Sequence, residues 1–319
     1  MAIPLRLPRQ IPVQQLLRRP LLALAESDQV EGLMRRNGFS KGLVARFVAG
    51  EDLETALGQV RALADQGMTS TLDQLGENVA SEEEARQAVG SYTAILDRIA
   101  EANLEPNISV KLTMLGLDLG DPVAMANLAP ILERAEAVGG FVRVDMEGST
   151  YTERTMAIVE AMHDRFPGRV GTVIQSYLRR AEADVERMIA RNARVRLVKG
   201  AYAEPATVAF QDRREVDANY ARLMTRLLDA GTYPAIATHD PALIAQARDH
   251  AARQGIASDR WEFQMLYGVR RDEQVALTKA GYRMRIYVPF GTEWYPYFTR
   301  RIAERPANAL FVARQLVSG

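Results

Sequence analysis

Eight short β-prone runs alternate with helical patterns along most of this chain, and this rhythm limits the possible fold more than any other feature. The runs are rich in β-branched and aromatic residues, and segments with helical apolar spacing separate them. Such strict alternation predicts parallel strands joined by right-handed crossovers, and eight units over about 230 residues match a closed (β/α)8 barrel. The predicted strands are Thr69 to Leu75, Asn107 to Leu112, Phe141 to Met146, Arg169 to Ile174, Val195 to Val198, Pro234 to Thr238, Trp261 to Met265 and Met284 to Val288.

A doubly wound parallel sheet is the competing fold for the same alternation. Sheets of that class normally carry a glycine-rich turn after the first strand, and the sequence contains neither a G-x-G-x-x-G motif nor a Walker-type loop. We therefore expect an α/β protein in which residues 69–319 form a (β/α)8 barrel with a C-terminal helix. The residues before it, 1–68, have helical spacing and glycine breaks, and we expect a small N-terminal helical arm there.

Composition excludes several classes of function. Forty basic and forty acidic residues cancel, and no basic block resembles a nucleic-acid footprint. There are no cysteines, so disulfides, thiolate nucleophiles and cysteine-bound cofactors are excluded, and a cytoplasmic location is permitted. The three histidines, of which His163 and His250 are expected on helix surfaces, are spaced too widely for a metal site, and we expect no metal.

The first 25 residues are rich in arginine and contain no acid. Their apolar run, Leu21 to Ala25, is too short for a signal-peptide core or a membrane span. An amphipathic basic segment can instead touch an anionic membrane surface, although such a segment more often packs on its own domain. Peripheral contact with the inner face of the membrane is therefore a hypothesis for this arm.

Side-chain parity within the predicted strands places polar groups inside the barrel. Successive residues of a strand point to opposite faces, so the apolar face of each strand meets the helices and the other face points inward. The inward positions near the C-terminal mouth are then Lys111, Asp145, Arg196 and Tyr287. One explanation is an internal salt-bridge network, and the other is an active site, which barrels of this kind place at the C-terminal ends of their strands.

The last strand leads to a helical pattern that carries a double arginine, Arg300-Arg301. Paired guanidinium groups match a carboxylate with parallel charge-assisted hydrogen bonds, which favours a small carboxylate ligand. An Arg-Arg pair on a helix can equally be a solvated surface pair. Another strand end carries Lys199-Gly200-Ala201, a small-residue turn that lets backbone N–H groups approach a phosphate.

At these positions the chain resembles the flavin-dependent proline dehydrogenases, in their short, single-function bacterial form. The resemblance covers roughly residues 69 to 310, and its motifs fall in order at the strand ends. The matching segments are Leu75-Gly76-Glu77, Ser109-Val110-Lys111-Leu112-Thr113, Val144-Asp145-Met146-Glu147, Ile174-Gln175-Ser176-Tyr177, Arg196-Leu197-Val198-Lys199-Gly200-Ala201-Tyr202, Ala237-Thr238-His239-Asp240, Phe263-Gln264-Met265-Leu266-Tyr267-Gly268, and the stretch from Arg285 through Arg300-Arg301 to Glu304 and Asn308.

The resemblance implies a barrel that holds FAD without a covalent bond and oxidises L-proline to 1-pyrroline-5-carboxylate. It also implies a membrane quinone as electron acceptor and a separate pyrroline-5-carboxylate dehydrogenase downstream. By resemblance, Asp145 and Arg196 are the catalytic residues, with Arg196 near flavin N5. The implied substrate-binding residues are Lys111, Tyr287, Leu266, Arg300, Arg301 and Glu304. The implied flavin contacts are Met146, Gln175, Arg196, Lys199, Gly200, Ala201, Thr238 and His239.

Three other readings of the residues stay open at this stage. Lys111 and Lys199 both end barrel strands, so a Schiff-base lyase or aldolase is possible in chemical terms. Another flavin barrel, such as a folate reductase, would share the cofactor site and differ in substrate. A non-catalytic binding module is the third alternative, and it leaves the inward charges unexplained.

Overall fold

The structure is a computed structural model that describes residue 42 and residues 44–303. Its centre is a closed barrel of eight parallel strands that pair in chain order, with β8 returning to β1. The strands are β1 Thr69–Gln74, β2 Asn107–Val110, β3 Phe141–Val144, β4 Val170–Gln175, β5 Arg194–Val198, β6 Ala235–Ala237, β7 Glu262–Leu266 and β8 Met284–Phe290. The helices are α1 Leu53–Ala64, α2 Glu82–Glu101, α3 Asp121–Ala137, α4 Thr152–Arg165, α5 Ala181–Ala190, α6 Arg213–Ala230, α7 Pro241–Gln254, α8 Arg271–Lys279 and α9 Trp294–Ala303, with a 3-10 turn at Leu117–Leu119.

The predicted (β/α)8 barrel is confirmed, and each of the eight predicted strands is present within about two residues of its expected ends. The outward faces are apolar and buried: Val142 and Val144 of β3, for example, have no exposed surface and lie in the cluster between strands and helices. The inward faces carry charged and polar side chains, as the parity argument predicted. The barrel interior is therefore a polar network where many barrels have stacked aliphatic layers.

Helix α1 packs against the barrel. Its buried residues Ala56, Leu57 and Val60 belong to the main apolar cluster, and the helix packs against β1 and β8. The side chain of Asp52 caps its first turn by accepting from Thr55 N at 2.8 Å. Residues 1–41 and 43 of the expected arm lie outside the described residues, and the division of the chain at residue 68 stays a prediction.

Helix α9 lies beside the chain segment that precedes α1. A second apolar cluster joins the two, and Gly50 O accepts from Gly291 N at 3.0 Å where this segment passes the end of β8. The cluster contains Val44, Phe47, Val48, Leu75, Trp294, Tyr295, Tyr297 and Phe298. Pro296 lies in the first turn of this helix, where proline is tolerated because its missing N–H would have no intrahelical partner.

The expectation that two histidines lie on helix surfaces was wrong. His163 and His250 are on α4 and α7, but both side chains are buried. His250 Nε2 lies 2.6 Å from Asp229 Oδ1 on the neighbouring helix α6, and this partner makes burial of the ring acceptable.

Candidate functional site at the mouth of the barrel

An ion pair between the first two strands forms one side of the mouth. Lys111 Nζ donates to Asp73 Oδ1 at 2.9 Å, and the side chain of Asp73 is only 1% exposed. Burial disfavours the ammonium form, yet the carboxylates of Asp73 and Asp145 raise the pKa of Lys111. Burial also raises the pKa of Asp73, against the attraction of Lys111. Lys111 was predicted here, whereas Asp73 was not.

A second pair lies opposite, between β3 and β5. Arg196 Nη1 donates to Asp145 Oδ1 at 2.7 Å, and Tyr287 donates its hydroxyl to Asp145 Oδ2 at 2.8 Å. The Arg196 guanidinium also lies over the Tyr287 ring, 5.1 Å from its centroid. Burial and the charge of Asp145 raise the pKa of Tyr287 well above its usual value, so the phenol stays protonated and remains a donor. Three of the four predicted inward residues are therefore in mutual contact.

Deeper polar side chains hold Arg196 in place. Its Nε donates to Gln264 Oε1 at 2.5 Å, and both of its Nη atoms lie 3.2 Å from Ser109 Oγ. Gln264 Nε2 donates in turn to Glu262 Oε1 at 2.5 Å. The same Glu262 oxygen accepts from Nε of the buried Arg285 at 3.0 Å. Arg196 is thus fixed by contacts on three sides, and its orientation is set before any ligand binds.

Helix α9 carries the arginine pair, and Arg300 interacts by charge with Tyr287 and Tyr202. Arg300 Nη2 donates to Glu77 Oε1, 2.9 Å away on the loop after β1. Burial opposes the charge, but Glu77 raises the pKa of Arg300. Arg301 lies over the ring of Tyr297, one helical turn earlier, at 5.3 Å from its centroid. Glu304, also expected to bind substrate, lies outside the described residues.

The ends of β5 to β7 carry a separate set of polar groups. Lys199 Nζ donates to Asp240 Oδ2 at 2.9 Å and lies 2.5 Å from Asp217 Oδ1. Asp240 is also the N-cap of α7, where its Oδ1 accepts from Ala242 N at 3.0 Å, so the helix start fixes the partner of this lysine. His239 Nε2 accepts from Leu266 N at 3.0 Å, and this contact assigns the ring proton to Nδ1.

The other expected flavin contacts lie on the same side of the mouth. Gln175 is buried and its Nε2 donates to Glu147 O at 3.0 Å. Thr238 Oγ1 accepts from Asp240 N at 3.1 Å. Gly200 has φ +115° and lies against Tyr177, whose ring a Cβ would meet at 2.3 Å. Met146 is buried at the end of β3, and Ala201 is exposed after Gly200.

Comparison with known proteins identifies the family. The family model described as proline dehydrogenase matches residues 56–314 of the chain. The chain belongs to the proline dehydrogenase family. It is 42% identical over 302 residues to proline dehydrogenase 1 of Bacillus subtilis strain 168, covering 95% of this chain and 99% of that one. It is 40% identical over 311 residues to the proline dehydrogenase of Deinococcus radiodurans, covering 96% of this chain and 100% of that one.

Solved structures of the proline utilization A proteins share the fold. The Bdellovibrio bacteriovorus protein, in a form inactivated by N-propargylglycine, superposes with a TM-score of 0.79 at 27% sequence identity. The match covers 92% of this chain and 36% of that much longer one. The chain thus spans about a third of the length of that protein.

Family membership implies a flavin cofactor, and the residues at the mouth fit such a group. Two cationic side chains come from β5 and its end: Arg196 lies within the strand, and Lys199 directly follows its last residue. A flavin ring and its anionic phosphates would both need such positive charge. Gly200 lies between Lys199 and the exposed Ala201, and it keeps this turn free of a bulky side chain.

In the described part of the chain, no helix is long and apolar enough to cross a membrane.

Sequence reasoning missed two members of the network, Asp73 and Glu262, which are buried and support the predicted residues. Ser109 and Gln264 lie in the segments that match the family, but the sequence did not predict their contacts with Arg196. The signal for Asp73 was present: β1 pairs with β2 so that Asp73 is opposite Ser109, which places it on the inward face beside Lys111. Strand parity distinguishes the two faces only where polar and apolar residues alternate, and the first strand, Thr69–Gln74, has a nearly all-polar sequence.

Proposed function

We propose that the protein oxidises L-proline to 1-pyrroline-5-carboxylate, with FAD bound noncovalently at the barrel mouth and a membrane quinone as electron acceptor. The observation that supports this function is the charge interaction of Arg300 with Tyr287, which itself contacts Asp145 and Arg196. A cation suited to a carboxylate, a tyrosine and a fixed guanidinium are thus linked by contacts at the mouth, in a chain of this family.

The substrate carboxylate is bound by cations from two sides in this proposal. Arg300 and Arg301 reach it from α9, and Lys111 reaches it from the end of β2. Arg300 has Glu77 as its partner at 2.9 Å, and a substrate carboxylate can replace or share that partner at little electrostatic cost. Fixing the carboxylate aims the ring, which turns an encounter into a reactive orientation.

The ring itself is placed between apolar and aromatic groups. Tyr287 and Leu266 border it, on the neighbouring strands β8 and β7. Oxidation removes a hydride equivalent from the ring carbon next to nitrogen and a proton from that nitrogen, giving the C=N bond of the product. Only the neutral amine releases hydride readily. We propose that Lys111 favours that form because its positive charge repels an ammonium ion, and that Asp145 favours it by accepting the amine proton. Tyr287 holds Asp145 through its hydroxyl.

A bound flavin supplies the capacity to accept two electrons, which no amino-acid side chain has. Arg196 is the residue we place near flavin N5, where a fixed cation stabilises the negative charge that reduction brings. Its partners Gln264 and Ser109 keep it from turning away. The remaining proposed flavin-binding residues are Met146, Gln175, Lys199, Gly200, Ala201, Thr238 and His239.

The setting of the reaction is also a proposal. The product is released for a separate pyrroline-5-carboxylate dehydrogenase, the enzyme acts in the cytoplasm, and it meets its quinone at the inner face of the membrane. The arginine-rich segment at residues 1–25 is the candidate for that contact. Flotation with anionic liposomes at low salt checks this step, and a protein that stays at the bottom of the gradient removes it.

The visible absorbance spectrum of the purified protein, before and after anaerobic addition of L-proline, tests the function. We expect a flavin spectrum that bleaches with proline. A flavin that does not respond to proline would contradict the substrate and favour another flavin barrel, such as a folate reductase. A colourless protein that remains inactive after reconstitution with FAD would contradict the cofactor. Borohydride trapping at Lys111 or Lys199 would then test a Schiff-base enzyme.

A further inference from the structure

Asp73 is the direct partner of Lys111 at the mouth of the barrel. Its Oδ1 accepts from Lys111 Nζ at 2.9 Å, and the hydroxyl of Tyr287 is close enough to interact with the same carboxylate. A buried carboxylate is costly unless it is paired, and Lys111 supplies the opposite charge. Asp73 lies on β1 directly across from β2, next to the proposed substrate site.

Lys111 needs a partner if it is to act on substrate. A lysine side chain has four rotatable bonds and three donor hydrogens, and a flexible ammonium loses much conformational freedom when it binds a ligand. Asp73 uses one of the three donors and fixes the direction of the side chain. The other two donors remain for the ligand.

We propose that Asp73 is a positioning residue that acts through Lys111, holding its ammonium group at the mouth where the substrate carboxylate binds. The inference rests on the proposed function, since it assumes that the ligand carries a carboxylate. Asp73 does not touch substrate in this arrangement. The pair is neutral before substrate arrives, so the buried ammonium is tolerated in the empty site.

The charge environment of Lys111 makes the proposal testable by pH. The two carboxylates that face it, Asp73 and Asp145, raise its pKa against the effect of burial. If Asp73 is replaced, only the charge of Asp145 still opposes the effect of burial. The pKa of Lys111 then falls toward the pH range in which binding is measured. The other titratable groups that interact with Lys111 are Tyr92 on α2, and Glu147 and Tyr202 on the loops after β3 and β5.

The test compares Asp73→Asn with Thr71→Val in the flavin-containing protein. Thr71 is the matched control, because it lies two residues earlier on the same strand, is fully buried, and its hydroxyl has no hydrogen-bond partner in the described residues. The ligand is tetrahydrofuran-2-carboxylate, a five-membered ring acid with no amine to titrate. Its dissociation constant is measured by the change in the flavin spectrum between pH 7 and pH 10.

We expect Asp73→Asn to weaken binding roughly tenfold at pH 7, within the range for neighbouring coupled groups, and more as the pH rises. Wild type and Thr71→Val should keep a flat pH profile. In a Lys111→Met background, Asp73→Asn should cause no further loss. An equal loss in both backgrounds would overturn the proposal, as would Asp73→Asn behaving like Thr71→Val. A wild type that fails to bind the acid or to bleach with proline overturns the proposed function first.

Asp73→Glu serves if Asp73→Asn does not fold or retain flavin. It keeps the charge but moves the carboxylate by one methylene, so the ammonium is displaced while Lys111 stays protonated. We expect weaker binding of the ring acid with a flat pH profile and an unchanged flavin content. Binding as tight as in wild type would overturn the positioning role.

Discussion

The ion pair between Glu262 and Arg285 allows a quantitative prediction about stability. Their side chains are 2% and 5% exposed, and Arg285 Nε lies 3.0 Å from Glu262 Oε1. Arg285 has a second partner, Glu105, at 2.8 Å, but that side chain is 49% exposed. One guanidinium thus contacts a buried and a half-exposed carboxylate, and the loss of each carboxylate can be compared in the same protein.

Glu262→Gln removes the buried charge and leaves Arg285 buried with a water-exposed partner. Breaking a buried pair from one side costs about 3–5 kcal/mol, whereas an exposed pair contributes about 0–1 kcal/mol. For a chain of 319 residues the unfolding entropy near 60 °C is about 0.7 kcal/mol/K. We therefore expect Glu262→Gln to lower the melting temperature by roughly 4–8 °C and Glu105→Gln by about 1 °C.

Thermal unfolding followed by far-UV circular dichroism, at fixed protein and flavin concentrations, measures the difference. A loss in Glu262→Gln no larger than in Glu105→Gln would refute the reasoning that burial decides the energy of this pair. The pH dependence gives a second check. Burial alone would raise the pKa of Glu262, but Arg285 lowers it below the value of a free glutamate. The ion pair therefore stabilises the fold at a pH above the pKa of the unfolded state, and this stabilisation is lost as the pH falls through the lower pKa of the folded state. The difference in melting temperature between wild type and Glu262→Gln should therefore become smaller below about pH 4.

Three further substitutions test the proposed roles at the mouth. Arg301→Met should weaken proline binding by about 2–5 kcal/mol while flavin is retained, because it removes a cation from the carboxylate; an unchanged KM would contradict that role. Tyr287→Ser should open space beside the ring and improve the use of 4-hydroxyproline relative to proline, and a fixed preference would show that Tyr287 does not face the ring. Arg196→Met should slow anaerobic flavin reduction in stopped-flow measurements, and equal rates would remove Arg196 from the neighbourhood of N5.

The sequence was sufficient for the barrel because the relevant signals are local and periodic. Strand parity needs only the neighbouring residues, and it placed Lys111, Asp145, Arg196 and Tyr287 inward without knowledge of their partners. The contact partners of these residues could not be predicted in the same way. Asp73 and Lys111 are 38 positions apart, and Arg196 and Gln264 are 68 apart. Their contact depends on strand register and side-chain rotamers, which the sequence pattern does not specify.

The contact between two mouth loops shows the same limit. Glu204, on the loop after β5, accepts hydrogen bonds from the backbone N of Ser149 at 2.7 Å and from its hydroxyl. No periodic pattern marks either residue, because both lie in loops whose path is set by the barrel beneath them. The family resemblance adds three-dimensional information that a single sequence lacks, and the catalytic and binding roles that it implies stay predictions.

The interior of this barrel favours orientation over maximal stability. Apolar side chains of similar volume would often be as stabilising as a buried ion pair, or more so, so the buried charges are not explained by stability alone. Their arrangement gives a better reason: Arg285 fixes Glu262, Glu262 fixes Gln264, and Gln264 fixes Arg196 at the mouth. Each member restricts the next, so the guanidinium proposed to face the flavin has its direction set from the base of the barrel. A network of this kind is pre-organised, and charge that develops in the reaction is stabilised without reorganisation of the protein.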